Sequence, residues 1–260
     1  MTKFSTPAAM LSLSLLSLAA HAAPPATPDS SVTLSAGLAV ASEYSGSDTL
    51  RAFPVLAADY QNRNGFFAST TRGIGYQAKL EALSVSGALG YDGGRKDKKE
   101  NLFSGSDALK GMGEIDGAPV ARLGLGYDLG AVQFSAGADL ALSHRERGKR
   151  YHFAASMPLL AGAGDRLSAA VSADYGDARN VQTFYGVTAA QSAASGFKAF
   201  KAKGGVEKVG LGLNWHHEFD KNWSLSSVAG LTRLTGDAAN SPLSKRKTSP
   251  LLMSTVNYTF

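Results

Sequence analysis

Four histidines beyond the N-terminal stretch could carry chemistry: His144, His152, His216 and His217. His216-His217-Glu218 places two imidazoles beside a carboxylate, residue types that hold transition metals. Adjacent residues of a strand point to opposite faces, so a strand here sends the two rings apart. Asp139 and His152 fall on neighbouring segments and could share one face, a carboxylate orienting a base. No motif fixes a nucleophile beside them. Cys is absent, which removes thiolate catalysis, cysteine metal sites and disulfides together. Gly124-Leu125-Gly126 and Gly210-Leu211-Gly212 lack the following helix of a phosphate loop, so their glycines read as close packing or strand curvature. The expectation is a protein without catalysis, metal or cofactor.

The elements that position these residues follow from the whole chain. Of 260 residues, 44% are hydrophobic and 18% charged, against about 25% charged in soluble proteins. The net charge is +5, too mild for a nucleic-acid partner without a concentrated basic patch. Lys3, the apolar stretch Ala8 to Ala20 and the small residues of Ala20-His21-Ala22 predict a signal peptide cleaved between Ala22 and Ala23. No Cys follows, which argues against a lipoprotein. Beyond that stretch no apolar run approaches the roughly 18 residues of a spanning helix. The expected organisation is a signal peptide over 1–22, a Pro-rich periplasmic tail over 23–30 and one domain over 31–260.

Period-2 alternation dominates that domain. Val32, Leu34, Ala36, Leu38 and Val40 make one face of a segment, while Thr33, Ser35, Gly37 and Ala39 make the other. The same pattern recurs at 83–91, 132–142, 151–159, 167–175 and 209–215. Segments of about 9–12 residues have the length of tilted membrane strands. The second face is mostly Gly, Ala, Ser and Asn, which suits a barrel lumen. Tyr44, Tyr60, Tyr76, Tyr91, Tyr127, Tyr151, Tyr175 and Tyr258 fall at strand ends, as in an interfacial girdle. The fold class is therefore all-β: a single transmembrane antiparallel outer-membrane β-barrel in a Gram-negative bacterium.

Strands are expected near 31–42, 50–60, 65–77, 82–91, 118–128, 130–143, 150–160, 166–177, 206–219, 223–234 and 249–260. Single-chain bacterial barrels have even strand numbers. Segment 65–77 is thus expected to be two short strands broken near Arg72-Gly73, for 12 in all, with 10 or 14 as alternatives. The closing Val256-Asn257-Tyr258-Thr259-Phe260 reads as an assembly signal carried by Tyr258 and Phe260. Counted back from Phe260, the long polar segments 92–117, 144–149, 178–205 and 235–248 lie outside the cell, and counted forward from Ser31 so does 43–49. Two of these are basic: Arg145, Arg147, Lys149 and Arg150 in one, Lys245, Arg246 and Lys247 in the other. Arg engages phosphate in bidentate fashion, so these seven are candidates for lipopolysaccharide contact.

The loop sequences carry a resemblance. Glu43-Tyr44-Ser45-Gly46-Ser47, Gly111-Met112-Gly113-Glu114-Ile115, Phe184-Tyr185-Gly186-Val187-Thr188 with Gln191-Ser192 and Ser195-Gly196, and Gly236-Asp237-Ala238-Ala239-Asn240-Ser241-Pro242 occur in this order. In order and spacing they resemble the MipA/OmpV family of MltA-interacting outer-membrane proteins, over essentially the whole mature chain. The resemblance implies a scaffold that links the lytic transglycosylase MltA with a bifunctional penicillin-binding protein. It also implies alternatives within the family: a porin-like channel for small polar solutes, or a surface antigen or adhesin. Short periplasmic turns leave a scaffold little surface there. The loop 92–117 is long enough to plug the lumen.

Overall fold

The computed structural model describes residues 30–101 and 104–260. The cleavage site at Ala22 and Ala23 lies outside these residues, as do the signal peptide and nearly all of the Pro-rich tail.

Twelve antiparallel strands close into one barrel. They are β1 (Ser30–Ser42), β2 (Leu50–Asn62), β3 (Phe66–Ser69), β4 (Gly73–Leu80), β5 (Leu83–Asp92) and β6 (Ala118–Leu129). Then come β7 (Val132–Ala141), β8 (Lys149–Gly162), β9 (Asp165–Gly176), β10 (Gly205–Glu218), β11 (Trp223–Leu234) and β12 (Thr248–Thr259). Each strand pairs with its neighbours in sequence, and β1 with β12 closes the ring from Thr33↔Thr259 to Val40↔Leu252. The expected break in 65–77 falls at 70–72. Ser69 Oγ accepts from the N–H groups of Thr71 and Arg72, a side-chain turn that ends β3 after four residues.

Alternation has the expected outcome. Leu34, Leu38, Leu56, Leu89, Leu123, Leu125, Phe153, Val171, Leu211 and Leu252 stand exposed on the outer face. Inside, small residues let strands and side chains approach. A Cβ on Gly124 would stand 2.4 Å from Ser86 Oγ, and one on Gly126 would stand 2.3 Å from Ser84 Oγ. These glycines therefore serve lumen packing, as their place in alternating strands suggests.

One end of the barrel carries tight turns and the other carries the long loops, with three short helices: α1 (Ala178–Tyr185), α2 (Ala189–Ser195) and α3 (Gly236–Asn240). Aromatic rings gather near the turn end. Tyr258 meets Trp223 at 4.8 Å and Phe260 at 4.7 Å between ring centroids, and His217 meets Phe219 at 4.8 Å. Tyr44 departs from the girdle expectation: it packs inward against a buried cluster at the loop end.

Candidate functional site

The lumen holds a ladder of charged side chains across five neighbouring strands. Asp139 on β7 lies 3.7 Å from Arg122 on β6 and 3.3 Å from His152 on β8. His152 Nδ1 lies 2.8 Å from Asp174 on β9, which also pairs with Lys208 on β10 at 2.9 Å. Arg150 Nε stands 3.2 Å from Glu207. A bulge makes this possible: the register shifts between Val206 and Lys208, so Glu207 and Lys208 both turn inward while Val206 and Val209 face out. Asp139 and His152 do meet, as their spacing suggested. Both ring nitrogens of His152 face carboxylates, however, which leaves neither to activate a nucleophile. The ladder braces the wall.

His216 and His217 diverge. His216 Nδ1 lies 3.0 Å from Ser226 Oγ, whereas His217 Nδ1 lies 2.9 Å from Asp165. Among the described residues, no group of three or more His, Cys, Asp or Glu is placed to hold a metal ion.

Above the ladder the loops fold into a cap with its own cores. Leu109, Met112, Val187 and Leu243 come from three loops and are almost wholly buried together, with Tyr44, Phe197 and Phe200 packed on them. A second cluster joins Val181, Tyr185, Ala202, Leu234, Ala238 and Ala239. Local chemistry fixes each piece. Asp177 accepts from Asn180 N–H at 2.8 Å and so starts α1. Thr188 and Gln191 make a reciprocal capping box that starts α2. Gly111, at φ +86°, passes so close to α2 that a Cβ would stand 2.5 Å from Ala194 O. Gln191 Nε2 donates to Met112 O at 2.7 Å there. Ser241 Oγ donates to Tyr185 O at 2.6 Å, and the Tyr185 hydroxyl lies 2.8 Å from Ser45 Oγ. The four quoted loop motifs therefore converge on one structure, the cap.

Two buried polar groups sit within it. The Tyr185 phenol is pushed well above its ordinary value by burial and by the Glu207 carboxylate, so it stays neutral. Arg95 Nη1 donates to Phe184 O at 2.6 Å. Burial lowers its guanidinium to about 10, opposed by nearby Tyr185, Tyr44 and Asp97. Sequence reading missed Arg95 because its run, Arg95-Lys96-Asp97-Lys98-Lys99-Glu100, looks like a solvated charge cluster.

The basic-loop expectation needs correction at two positions. Arg147 and Arg150 are only 4% and 8% exposed. Arg147 pairs with Asp92 at 2.5 Å and donates to Asp116 O, while Arg150 points at Glu207. Period-2 alternation at the start of β8 turns Arg150 inward, and Gly148, at φ +65°, lets the preceding turn tuck Arg147 under α1. Arg145, Lys149, Lys245, Arg246 and Lys247 are exposed at the loop end.

A sequence profile described as MltA-interacting protein MipA matches residues 34–260. A search of curated protein sequences finds no match. Among solved structures, the chain is similar to an outer-membrane channel from Pseudomonas putida F1, at 12% identity and a TM-score of 0.43, covering 90% of this chain and 97% of that one. It is also similar to a loop-deletion mutant of OmpT, an outer-membrane protein of Vibrio cholerae, at 8% identity and a TM-score of 0.38, covering 89% and 98%. Neisserial surface protein A follows at 9% identity and a TM-score of 0.30, covering 90% and 98%. With 34–260 matched and its strands closed into a barrel, the chain belongs to the MltA-interacting protein MipA family of Gram-negative outer-membrane β-barrels.

Proposed function

We propose that the protein is a closed outer-membrane barrel that serves as a scaffold for peptidoglycan-remodelling enzymes: the lytic transglycosylase MltA, which the family description names, and the bifunctional penicillin-binding protein that the resemblance implies. One observation carries this reading. The family's motif segments build a packed cap over the lumen instead of lining a path through it. Long loops lie outside the cell in such barrels, so the cap is extracellular and the turn end is the periplasmic rim. That rim is braced. Arg166 pairs with Glu218 at 2.6 Å, Lys79 with Asp128 at 2.9 Å, and Asp165 accepts from Trp215 Nε1 at 2.9 Å. A short but rigid rim loses little conformational entropy on docking, which offsets its small area. The test is a pull-down of the detergent-solubilised barrel with each purified murein enzyme. Retention of the transglycosylase supports the scaffold; retention of neither enzyme contradicts it.

A porin-like passage is the second reading. It is supported by the small side chains that line this part of the lumen, Ser84, Ser86, Gly124 and Gly126, none of which is bulky enough to cross the barrel. At the extracellular end, the five exposed basic residues Arg145, Lys149, Lys245, Arg246 and Lys247 are suited to lipopolysaccharide phosphates.

A further inference from the structure

The barrel wall is not of uniform height. All 13 residues of β2 pair with β1, from Asn62↔Ser30 to Leu50↔Ser42. On its other edge β2 pairs with β3 only at Asp59, Tyr60 and Gln61. Thr70 adds one further contact: its N–H donates to Ala58 O at 3.0 Å, and Ala58 N–H donates to its Oγ1 at 3.2 Å. Beyond that, residues 50–57 have no strand beside them on this edge among the described residues. Across the opening, β4 reaches only to Leu89, while β5 continues to Asp92 against β6. The result is a window in the wall. Its floor is the 70–72 turn and its sides are β2 and β5. Its lintel is Gly105 and Ser106, which meet β2 where Arg51 Nη2 donates to Gly105 O at 3.0 Å.

The elements that border the window are clamped in place. Arg72 forks onto Asp59 at 2.8 and 2.9 Å, reaches Gln77 at 3.0 Å and lies 4.2 Å over the Phe67 ring. Arg122 donates to Thr71 O in the turn and to Tyr91 O on β5, which ties the floor to the β5 side. The short hairpin is thus tied in place at both flanks. Ser106 Oγ donates to Glu43 at 2.6 Å, and Glu43 pairs with Arg51 at 2.6 Å, which fixes the lintel.

The edge discourages a strand as occupant. Ala58 turns both backbone groups towards β3, so alternation turns those of Ala52, Pro54 and Leu56 the same way. Pro54 has no N–H, which interrupts the donor row at its centre. Apolar surface, by contrast, is continuous through the opening. The bilayer-facing band includes Leu38, Leu50, Leu56, Ile74 and Leu89. On the lumen face of β2, only Phe53, Val55 and Ala57 stand between Arg51 and Asp59. Phe53 and Val55 are half-buried against Ala39, Ala41, Val228, Leu251 and Met253. The charged ladder runs over β6 to β10, and of its members Arg122 reaches the window, where it holds the floor at Thr71 and the β5 side at Tyr91. Leu56 and Pro54 are four and six residues beyond Tyr60, within hydrocarbon depth.

We propose that this window is a lateral portal through which a hydrocarbon chain of an outer-leaflet lipid leaves the bilayer and lies on Phe53 and Val55 inside the barrel. The bilayer interface simply continues onto the lumen wall there. This inference is independent of the scaffold reading.

The chain has no cysteine, so single cysteines report cleanly. V55C, with A57C as a second variant, places a thiol behind the window. A154C places one on the lumen face of β8, whose neighbours β7 and β9 are paired along it. Each variant is reconstituted in liposomes, checked for heat-modifiable folding and treated with a membrane-dissolved dodecyl maleimide. Because a fully hydrogen-bonded wall excludes an alkyl chain, the V55C or A57C thiol should react at least about tenfold faster than the A154C thiol. A sulfonated, water-soluble maleimide should show no such preference. Equal rates with the dodecyl reagent overturn the portal, and so does the same preference with the sulfonated one. Cross-linking of L56C into dimers by a short bismaleimide also overturns it, by showing a second copy on the edge.

Discussion

Leu243→Ala is the most informative perturbation of the cap. Leu243 is 1% exposed, and its side chain joins loop 235–247 to Leu109 and Met112 of loop 93–117 and to Val187. Truncating a buried Leu to Ala costs about 2–5 kcal/mol. The lower part of that range applies, because Tyr44, Phe197 and Phe200 border the cluster and can move into the space. At 1.4 kcal/mol per tenfold, a cost of about 2–3 kcal/mol raises the open-cap population roughly 30- to 150-fold. The change should be local, since the barrel closes through its own strand pairing, from Thr33↔Thr259 to Val40↔Leu252, in which no member of the cluster takes part. Amide hydrogen exchange in detergent micelles reads it directly: Leu109, Met112 and Val187 should lose protection by that factor, while β1 and β12 keep theirs. Unchanged protection at Met112 would refute the reasoning, because the cap would then not depend on this cluster. Equal loss in β12 would refute it in the other direction, because cap and barrel would then unfold as one unit.

Glu207→Gln should destabilise the folded barrel by about 3–5 kcal/mol, read as a lower urea midpoint for loss of heat-modifiable migration, since Arg150 is left buried without its carboxylate; an unshifted midpoint would show that the pair carries no stability. Deleting Phe260, which meets the Tyr258 ring edge to face, should lower the amount of folded barrel in outer-membrane fractions, and wild-type amounts would count against an assembly role. Replacing Arg145, Lys149, Lys245, Arg246 and Lys247 with Gln should weaken copurification with lipopolysaccharide in low salt, and unchanged copurification would remove these loops from that contact.

Much of the barrel was legible because period-2 alternation is a direct record of two environments. Leu123 and Leu125 must face lipid and Gly124 and Gly126 must clear Ser84 and Ser86, so the strand declares itself residue by residue. The even-number rule recovered the break between β3 and β4, which hydropathy alone hides. The cap was not legible in the same way. Met112 and Leu243 are isolated apolar residues in polar loops, and apart from Leu109 beside Met112 their partners lie more than 40 residues away in sequence. Arg147 and Arg150 looked like surface charge because their carboxylates, Asp92 and Glu207, are equally remote. Glu207 also owes its direction to a bulge that no local pattern signals. The short β3–β4 hairpin could be placed by counting, but its consequence, an unpaired β2 edge, appears only when the registers on both sides of β2 are compared.

The closed-barrel account turns on whether the cap blocks the lumen. Planar-bilayer recording of the intact protein beside a variant lacking 96–110 tests this most directly. That deletion removes Leu109 from the buried cluster and Gly105 from its bond to Arg51. The account predicts little or no steady conductance from the intact protein and stable channel openings from the deletion variant. Large, stable conductance from the intact protein would contradict it and favour the porin-like reading.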